Sequence, residues 1–379
     1  MTTIEEIAKK YEKDMNEIYA RANTKSKRKV IVRDLIGFNE ICSGFFDISK
    51  EYDWDKDINL KSLVKDPRVP FIQDIVNNAP IYSNIFCSVL DTFIDSNFDM
   101  YKYYGKNYQK LNSKEIQEMV FGFLNSYDPE LLKKFKDKLE NCELFYSDLI
   151  GNYKGITYSF GSLNRNLIFY TPVYGDSIDS AATIMHEFGH SFEMDTFYTV
   201  GKKNYLDIVF PKPYYEISSR FFEYAFLNYI KENNILVDDV NKRLHTYFYD
   251  LLTRTHNISF IYKTEEIDVD EFDNVSINNN KALEFSKLIE EKLNCELFTP
   301  EDGDTINIRH AFLYGIGSLF AVYLYQNYKE DSNNFKKEFK NALLCSPYMN
   351  GIDAFERVGV TSETLIKGDT LKKVLKNSR

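Results

Sequence analysis

His186 and His190 stand four residues apart with Glu187 after the first, and the run that holds them repeats its apolar residues with the period of a helix. Ile178, Ala182, Met185 and Phe188 fall at three- and four-residue spacing, and Ser177 or Asp179 can cap the start. Positions i and i+4 lie one turn apart on one helix face. This H-E-x-x-H arrangement therefore lets both imidazoles bind one ion while Glu187 reaches a water beside it. The constraint on the fold is strict. The segment must be helical, its apolar side must be packed so that the histidine rotamers are fixed, and another part of the chain must bring up further ligands.

Zinc in a catalytic site usually takes three protein donors and leaves the fourth position to water, so two histidines are not sufficient. Downstream, Pro211 and Pro213 exclude helix just before Tyr214, and a second amphipathic segment runs from about Tyr215 to Glu232. Glu216 and Glu223 lie seven residues apart in it, on the side carrying Phe221, Phe222, Ala225 and Phe226. A carboxylate seldom enters an apolar face uncompensated, and a metal or a ligating histidine would compensate it. Glu216 is assigned as the third ligand. Glu223 is either a partner of a ligand histidine or a solvated or structural carboxylate. Glu193 and Asp195 are the rival ligands, but Glu193 lies seven residues from His186 and points along the helix beyond His190. Cobalt or manganese would fit the same donors as zinc.

Leu167–Tyr174, rich in β-branched and aromatic residues, reads as a strand, and Pro172 places it at a sheet edge. Gly151, Gly155 and Gly161, spaced among Ile156, Tyr158 and Phe160, indicate the rest of a small sheet. Before it, helices are expected up to about Ala22 and near Val30–Phe46, Phe71–Phe98 and Ser113–Phe145. Asp268–Asn280, acidic and rich in asparagine, reads as a surface loop, and His310–Tyr328 as an apolar helix. The expected fold is mainly α: two helical lobes around a deep cleft, with one small β-sheet next to the H-E-x-x-H helix. Residues 1–149 form the helical N-terminal lobe of this expectation, and 150–379 the metal-bearing catalytic region.

Taken in order, Ile168–Tyr174, Asp179–His190, Glu216–Glu223, Arg309–Tyr314 and Met349–Val360 resemble the thimet oligopeptidase and oligoendopeptidase F metallopeptidases, the latter branch more closely. The resemblance implies a zinc-dependent endopeptidase acting on short, unstructured peptides, with one zinc per chain on His186, His190 and Glu216. It further implies that Glu187 is the general base, that His310 contacts substrate, and that Tyr314 lies near the place of tyrosines that hydrogen-bond the tetrahedral intermediate. Two departures stand out. Glu193 occupies a position where members often have another histidine, and the N-terminal half is shorter than in most members, which bears on access to the cleft. Two other readings keep the motif: a metallopeptidase-like protein dedicated to processing or binding one peptide, or a non-catalytic zinc-bearing scaffold. An intact Glu187 speaks against the scaffold, because a structural ion has no use for a base and normally has four protein ligands. An exposed edge at the strand preceding the metal helix would hold a peptide by added-strand hydrogen bonding.

A formal charge of −10 disfavours nucleic acid as a partner, despite the basic stretch Lys25–Lys29. Carried into the cleft, that acidity would favour basic peptides. No apolar run approaches a membrane span, and the charged N-terminus lacks the apolar centre of a signal peptide, so a cytoplasmic protein is expected. Five cysteines without C-x-x-C spacing argue against a disulfide framework and against a cysteine-ligated metal. His245 and His256, in the aromatic segment Leu244–Lys263, read as structural.

Overall fold

In the computed structural model, the structure describes residues 78–140, 143–146, 155–160, 165–170, 176–199, 214–263, 274–276, 280–295, 297, 305–346 and 351–377, with Lys13, Glu17, Ala20 and Arg21. Those last four are helical, but most of the first expected helix and all of Val30–Phe46 lie outside the described residues. In chain order the elements are α1 (Ala79–Asp95), α2 (Ser113–Tyr127), α3 (Pro129–Glu140), β1 (Leu144–Tyr146), β2 (Gly155–Phe160), β3 (Arg165–Tyr170) and α4 (Ile178–Thr199). There follow α5 (Ile217–Glu232), α6 (Val237–Lys263), β4 (Asn274–Ser276), α7 (Asn280–Leu293), β5 (Thr305–Asn307), α8 (Ile308–Glu330) and α9 (Ser332–Cys345). The short helices α10 (Gly351–Phe355), α11 (Ser362–Lys367) and α12 (Asp369–Asn377) close the chain. The fold is mainly α, as the sequence predicts. Among the described residues no helix is long and apolar enough to cross a membrane.

The elements group into two compact units, one containing Tyr108–Phe210 and the other joining Arg68–Asn107 with Pro211–Arg379. In the first, the single helix expected over Ser113–Phe145 is two helices and a strand. Asn112 opens α2 with a capping box, its side chain accepting from the backbone of Lys114 and Glu115. Asp128 then turns extended (φ −162°), as a residue before proline must, and Pro129 starts α3 where its missing N–H costs nothing.

The sheet has the order β1-β3-β2, with β3 parallel to β1 and antiparallel to β2. The edge position expected for the strand at Leu167 is thus wrong. β3 pairs on both sides over Arg165–Tyr170, a span that does not include Pro172. Helix α4 packs on β2 and β3, with Phe188 edge-on to Phe135 of α3 at 5.4 Å between ring centroids. A buried amide locks this arrangement. Asn166 of β3 accepts at Oδ1 from Lys138 Nζ (2.6 Å) and Ser191 Oγ (2.5 Å), and donates from Nδ2 to Asp195 Oδ1 (2.9 Å). One side chain so fixes α3 and α4 against the sheet, and its fully buried polar atoms are matched by partners.

In the second unit α8 is apolar on all sides, and a helix of that kind belongs inside: Phe312, Ile316, Leu319, Phe320, Val322 and Leu324 are all essentially inaccessible. It packs on α5 and α6. Gly317 makes the first contact possible, since a Cβ there would stand 2.8 Å from the main-chain oxygen of Glu216. A second, two-stranded sheet pairs β4 with β5, Asn274 opposite Asn307. The loop expected over Asp268–Asn280 therefore contains a strand. Three residues are too few to show alternation, and the partner lies some thirty positions on.

Candidate metal centre

Ser177 caps α4, its Oγ accepting from Asp179 N at 3.3 Å, and the helix runs on far enough to put the motif in its middle. His186 and His190 then lie one turn apart, ring centroids 5.1 Å and planes 83° from each other. Both are buried, as is Glu187 between them. Strand β2 holds that glutamate. Thr157 Oγ1 lies 2.8 Å from Glu187 Oε2 and 2.9 Å from its main-chain oxygen, and its single proton can serve either acceptor. Gly155 is the surface on which the side chain rests: a Cβ there would stand 2.6 Å from Oε1 and 2.7 Å from Cγ of Glu187.

Glu216 occupies the N-cap position of α5 rather than a place inside the helix (φ −90°, ψ 2°), and its carboxylate does not cap. Its Oε2 instead accepts from Ser219 Oγ at 2.6 Å, while its main-chain oxygen accepts from Arg220 N at 3.0 Å. His186, His190 and Glu216 form a buried group whose candidate ligand atoms all lie within 4.8 Å of one another. Two imidazoles and a carboxylate are a donor set that suits zinc, and bonds of about 2.1 Å can draw atoms so spaced onto one ion. The residues fit a metal.

Glu223 is compensated differently. Arg220 Nη1 donates to its Oε2 at 2.9 Å, and Arg243 Nη2 donates to its Oε1. Arg220 also reaches Ser318 Oγ through Nε (2.7 Å) and Asp250 Oδ2 through Nη2 (2.5 Å). Its guanidinium lies 4.5 Å from the ring centroid of Tyr247 and 5.5 Å from that of Tyr314. Burial disfavours the charge on Arg220, but Glu223 and Asp250 outweigh it and raise the pKa above the usual arginine value.

His310 and Tyr314 are one turn apart on α8, ring centroids 4.5 Å from each other. Asn307 caps this helix by accepting from His310 N at 2.8 Å. Desolvation, then Arg254, lowers the His310 pKa from its ordinary value, with Asp250 and Glu216 acting in the opposite sense. His245 and His256 are engaged elsewhere. The first stacks on Phe98 at 4.7 Å, and the second is buried with Nε2 2.7 Å from Ser286 Oγ and its pKa pushed down to about 4 by burial. Asp195 is taken up by Asn166. Sequence reasoning missed Gly155, Thr157, Asn166, Arg220 and Arg243. Arg220 alone carried a signal: a cation on an apolar helix face three residues before an acid is the spacing of an intrahelical pair.

No protein-family model matches the chain, and no curated protein matches it. Solved structures do. A Bacillus anthracis str. Ames protein provisionally assigned as an oligoendopeptidase F superposes with TM-score 0.57 at 14% identity, over 96% of this chain and 70% of that one. PZ peptidase A, solved with an inhibitor, gives 0.57 at 12% identity over 96% and 71%. A Chlamydophila abortus protein provisionally assigned as a peptidase gives 0.55 at 15% identity over 81% of this chain. This chain spans only 57% of the length of that protein. At these identities the likeness is one of fold.

Proposed function

We propose that the chain is a metal-dependent peptidase of the oligoendopeptidase F kind, hydrolysing peptide bonds in short unstructured peptides. The observation that carries this reading is the buried His186, His190 and Glu216 group with Glu187 beside it, in a fold shared with peptidases. Zinc is the ion the donor set suits best, and when bound it would lower the pKa of a water toward about 7 and polarise the scissile carbonyl. Glu187 accepts the proton of the attacking water and returns it to the leaving amine. Thr157 and Gly155 support this by holding the Glu187 carboxylate in one place, the first through its hydroxyl and the second by leaving room. His310 and Tyr314 are suited to donate hydrogen bonds to the carbonyl oxygen as it gains charge. The peptide main chain would add alongside β2 rather than β3. β2 carries the residues that touch Glu187, and among the described residues it pairs with a strand on one side only.

Removing the proposed third ligand gives the first test. Glu216→Ala is expected to abolish stoichiometric metal binding, measured by metal analysis after dialysis, while wild type retains one ion per chain. Equal metal content in the two proteins would remove Glu216 from the metal shell. A second substitution tests the support of the base. In Gly155→Ala the new methyl must displace the Glu187 side chain, and a displacement of about 1 Å can cost on the order of 10²-fold in rate. The expected result is a fall of that size in kcat with metal content unchanged. An alanine variant as active as wild type would show that Glu187 need not lie where the structure has it.

A further inference from the structure

Formal charge makes this an acidic chain, yet the residues gathered around Glu216, His310 and Tyr314 in the second unit are rich in arginine. Arg220 and Arg243 are buried and engaged on Glu223. Arg254 differs from both. It is part exposed, its side chain 29% accessible, and its one ion pair among the described residues is a bond of 3.3 Å from Nε to Asp250 Oδ1. Asp250 is shared, because its other oxygen already takes Arg220 Nη2 at 2.5 Å. Among the described residues neither Nη of Arg254 has a partner. The planar edge that the two Nη groups present is the part of a guanidinium that matches a carboxylate through two parallel hydrogen bonds.

The backbone sets where the stem of Arg254 lies. Gly315 of α8 faces α6 so closely that a Cβ there would stand 2.9 Å from Ile258 Cδ1 and 3.4 Å from Arg254 Cβ. The stem of Arg254 therefore crosses α8 at the residue after Tyr314. His310, one turn earlier on α8, is exposed, and among the described residues its ring nitrogens have no hydrogen-bond partner. Arg254 is also the charged group that most depresses the His310 pKa, as a near cation must. A part-exposed, half-neutralised guanidinium thus belongs to the cluster that runs through Asp250 and Arg220 to Tyr314 and His310, the histidine assigned to substrate.

We propose that the free Nη edge of Arg254, next to His310, is a carboxylate-recognition subsite, so that the preferred substrates are peptides carrying a carboxylate close to the cleaved bond. This rests on the peptidase reading and narrows its substrate class; it also reverses the preference for basic peptides that overall charge suggests. Two sources offer the same chemistry, a free C-terminus or an acidic side chain.

The test offers the wild-type, zinc-loaded protein a set of short Gln-containing peptides, each made as the free acid and as the C-terminal amide, and again with each Gln replaced by Glu. Hydrogen bonds to a charged group of this kind are worth about tenfold or more in an equilibrium. Wild type is expected to show a KM about tenfold lower for the free acid, or for a Glu-bearing peptide, than for its neutral counterpart. In Arg254→Gln that difference should vanish, the KM for the charged peptide rising to that for its neutral counterpart. Loss of the free-acid preference identifies the C-terminus as the source, and loss of the Glu preference identifies a side chain. A wild type indifferent to both changes overturns the proposal even where the variant does not fold, and so does a preference that survives in Arg254→Gln. If wild type cuts none of the peptides, the peptidase reading itself falls and takes the subsite with it.

Discussion

Glu187→Gln is expected to retain its metal and lose peptide hydrolysis by roughly 10²- to 10⁴-fold in kcat, the usual contribution of a positioned general base. The amide is nearly isosteric and can still accept the hydrogen bond of Thr157, which lies 2.8 Å from Oε2 in the native protein, but it cannot take a proton from water. The loss should fall on kcat more than on KM, since the group acts on the transition state rather than on substrate binding. Metal analysis alongside the rate separates this from loss of the ion. The result also decides between catalysis and a scaffold that merely carries a metal, for which Glu187→Gln would change nothing measurable. Residual hydrolysis at the wild-type rate would remove the base from Glu187.

Glu223→Ala should produce the largest loss of stability. The carboxylate is 1% exposed and takes guanidinium hydrogen bonds at both oxygens, from Arg220 and Arg243. Deleting one side of such a buried arrangement leaves charge without its counterpart and typically costs about 3–5 kcal/mol. Arg220 keeps its ion pair with Asp250. A urea midpoint shifted down with an unchanged slope would report this. Because Glu216 is the N-cap of α5 and Arg220 donates its backbone N–H to the Glu216 carbonyl, loosening this helix should also weaken metal retention. A stability within about 0.5 kcal/mol of wild type, the size of an ordinary surface substitution, would mean that the two arginines find other partners.

What the sequence disclosed and what it withheld follow the range of the interactions. Helix α4 was legible because its signals are local: a cap at Ser177, apolar residues of helical period, and two histidines spaced by one turn. Glu216 was legible through a related anomaly, a carboxylate beside an aromatic run after two prolines. Its exact place at the helix start was not, because that depends on where the chain leaves the Pro213 region. The central position of β3 was hidden. Nothing in Arg165–Tyr170 records that Leu144–Tyr146 and Gly155–Phe160 flank it, and Pro172 misled because it lies just past the strand. The hold of Thr157 and Gly155 on Glu187 was hidden for the same reason, thirty or more residues separating groups that touch. Glu223 shows the limit of reading one residue at a time. Its burial was foreseeable, yet one of its partners, Arg243, comes from the next helix. A carboxylate that needs compensation does not say by what.

Product mapping of a peptide mixture by mass spectrometry, with the zinc-loaded protein, the chelated protein, the chelated protein given zinc again, and Glu187→Gln, tests the central claim most directly. Internal cleavages should accumulate with the loaded protein, cease on chelation, return with zinc, and stay absent with Glu187→Gln despite its bound metal. Cleavages that persist through chelation, or that Glu187→Gln makes as readily as wild type, would contradict it.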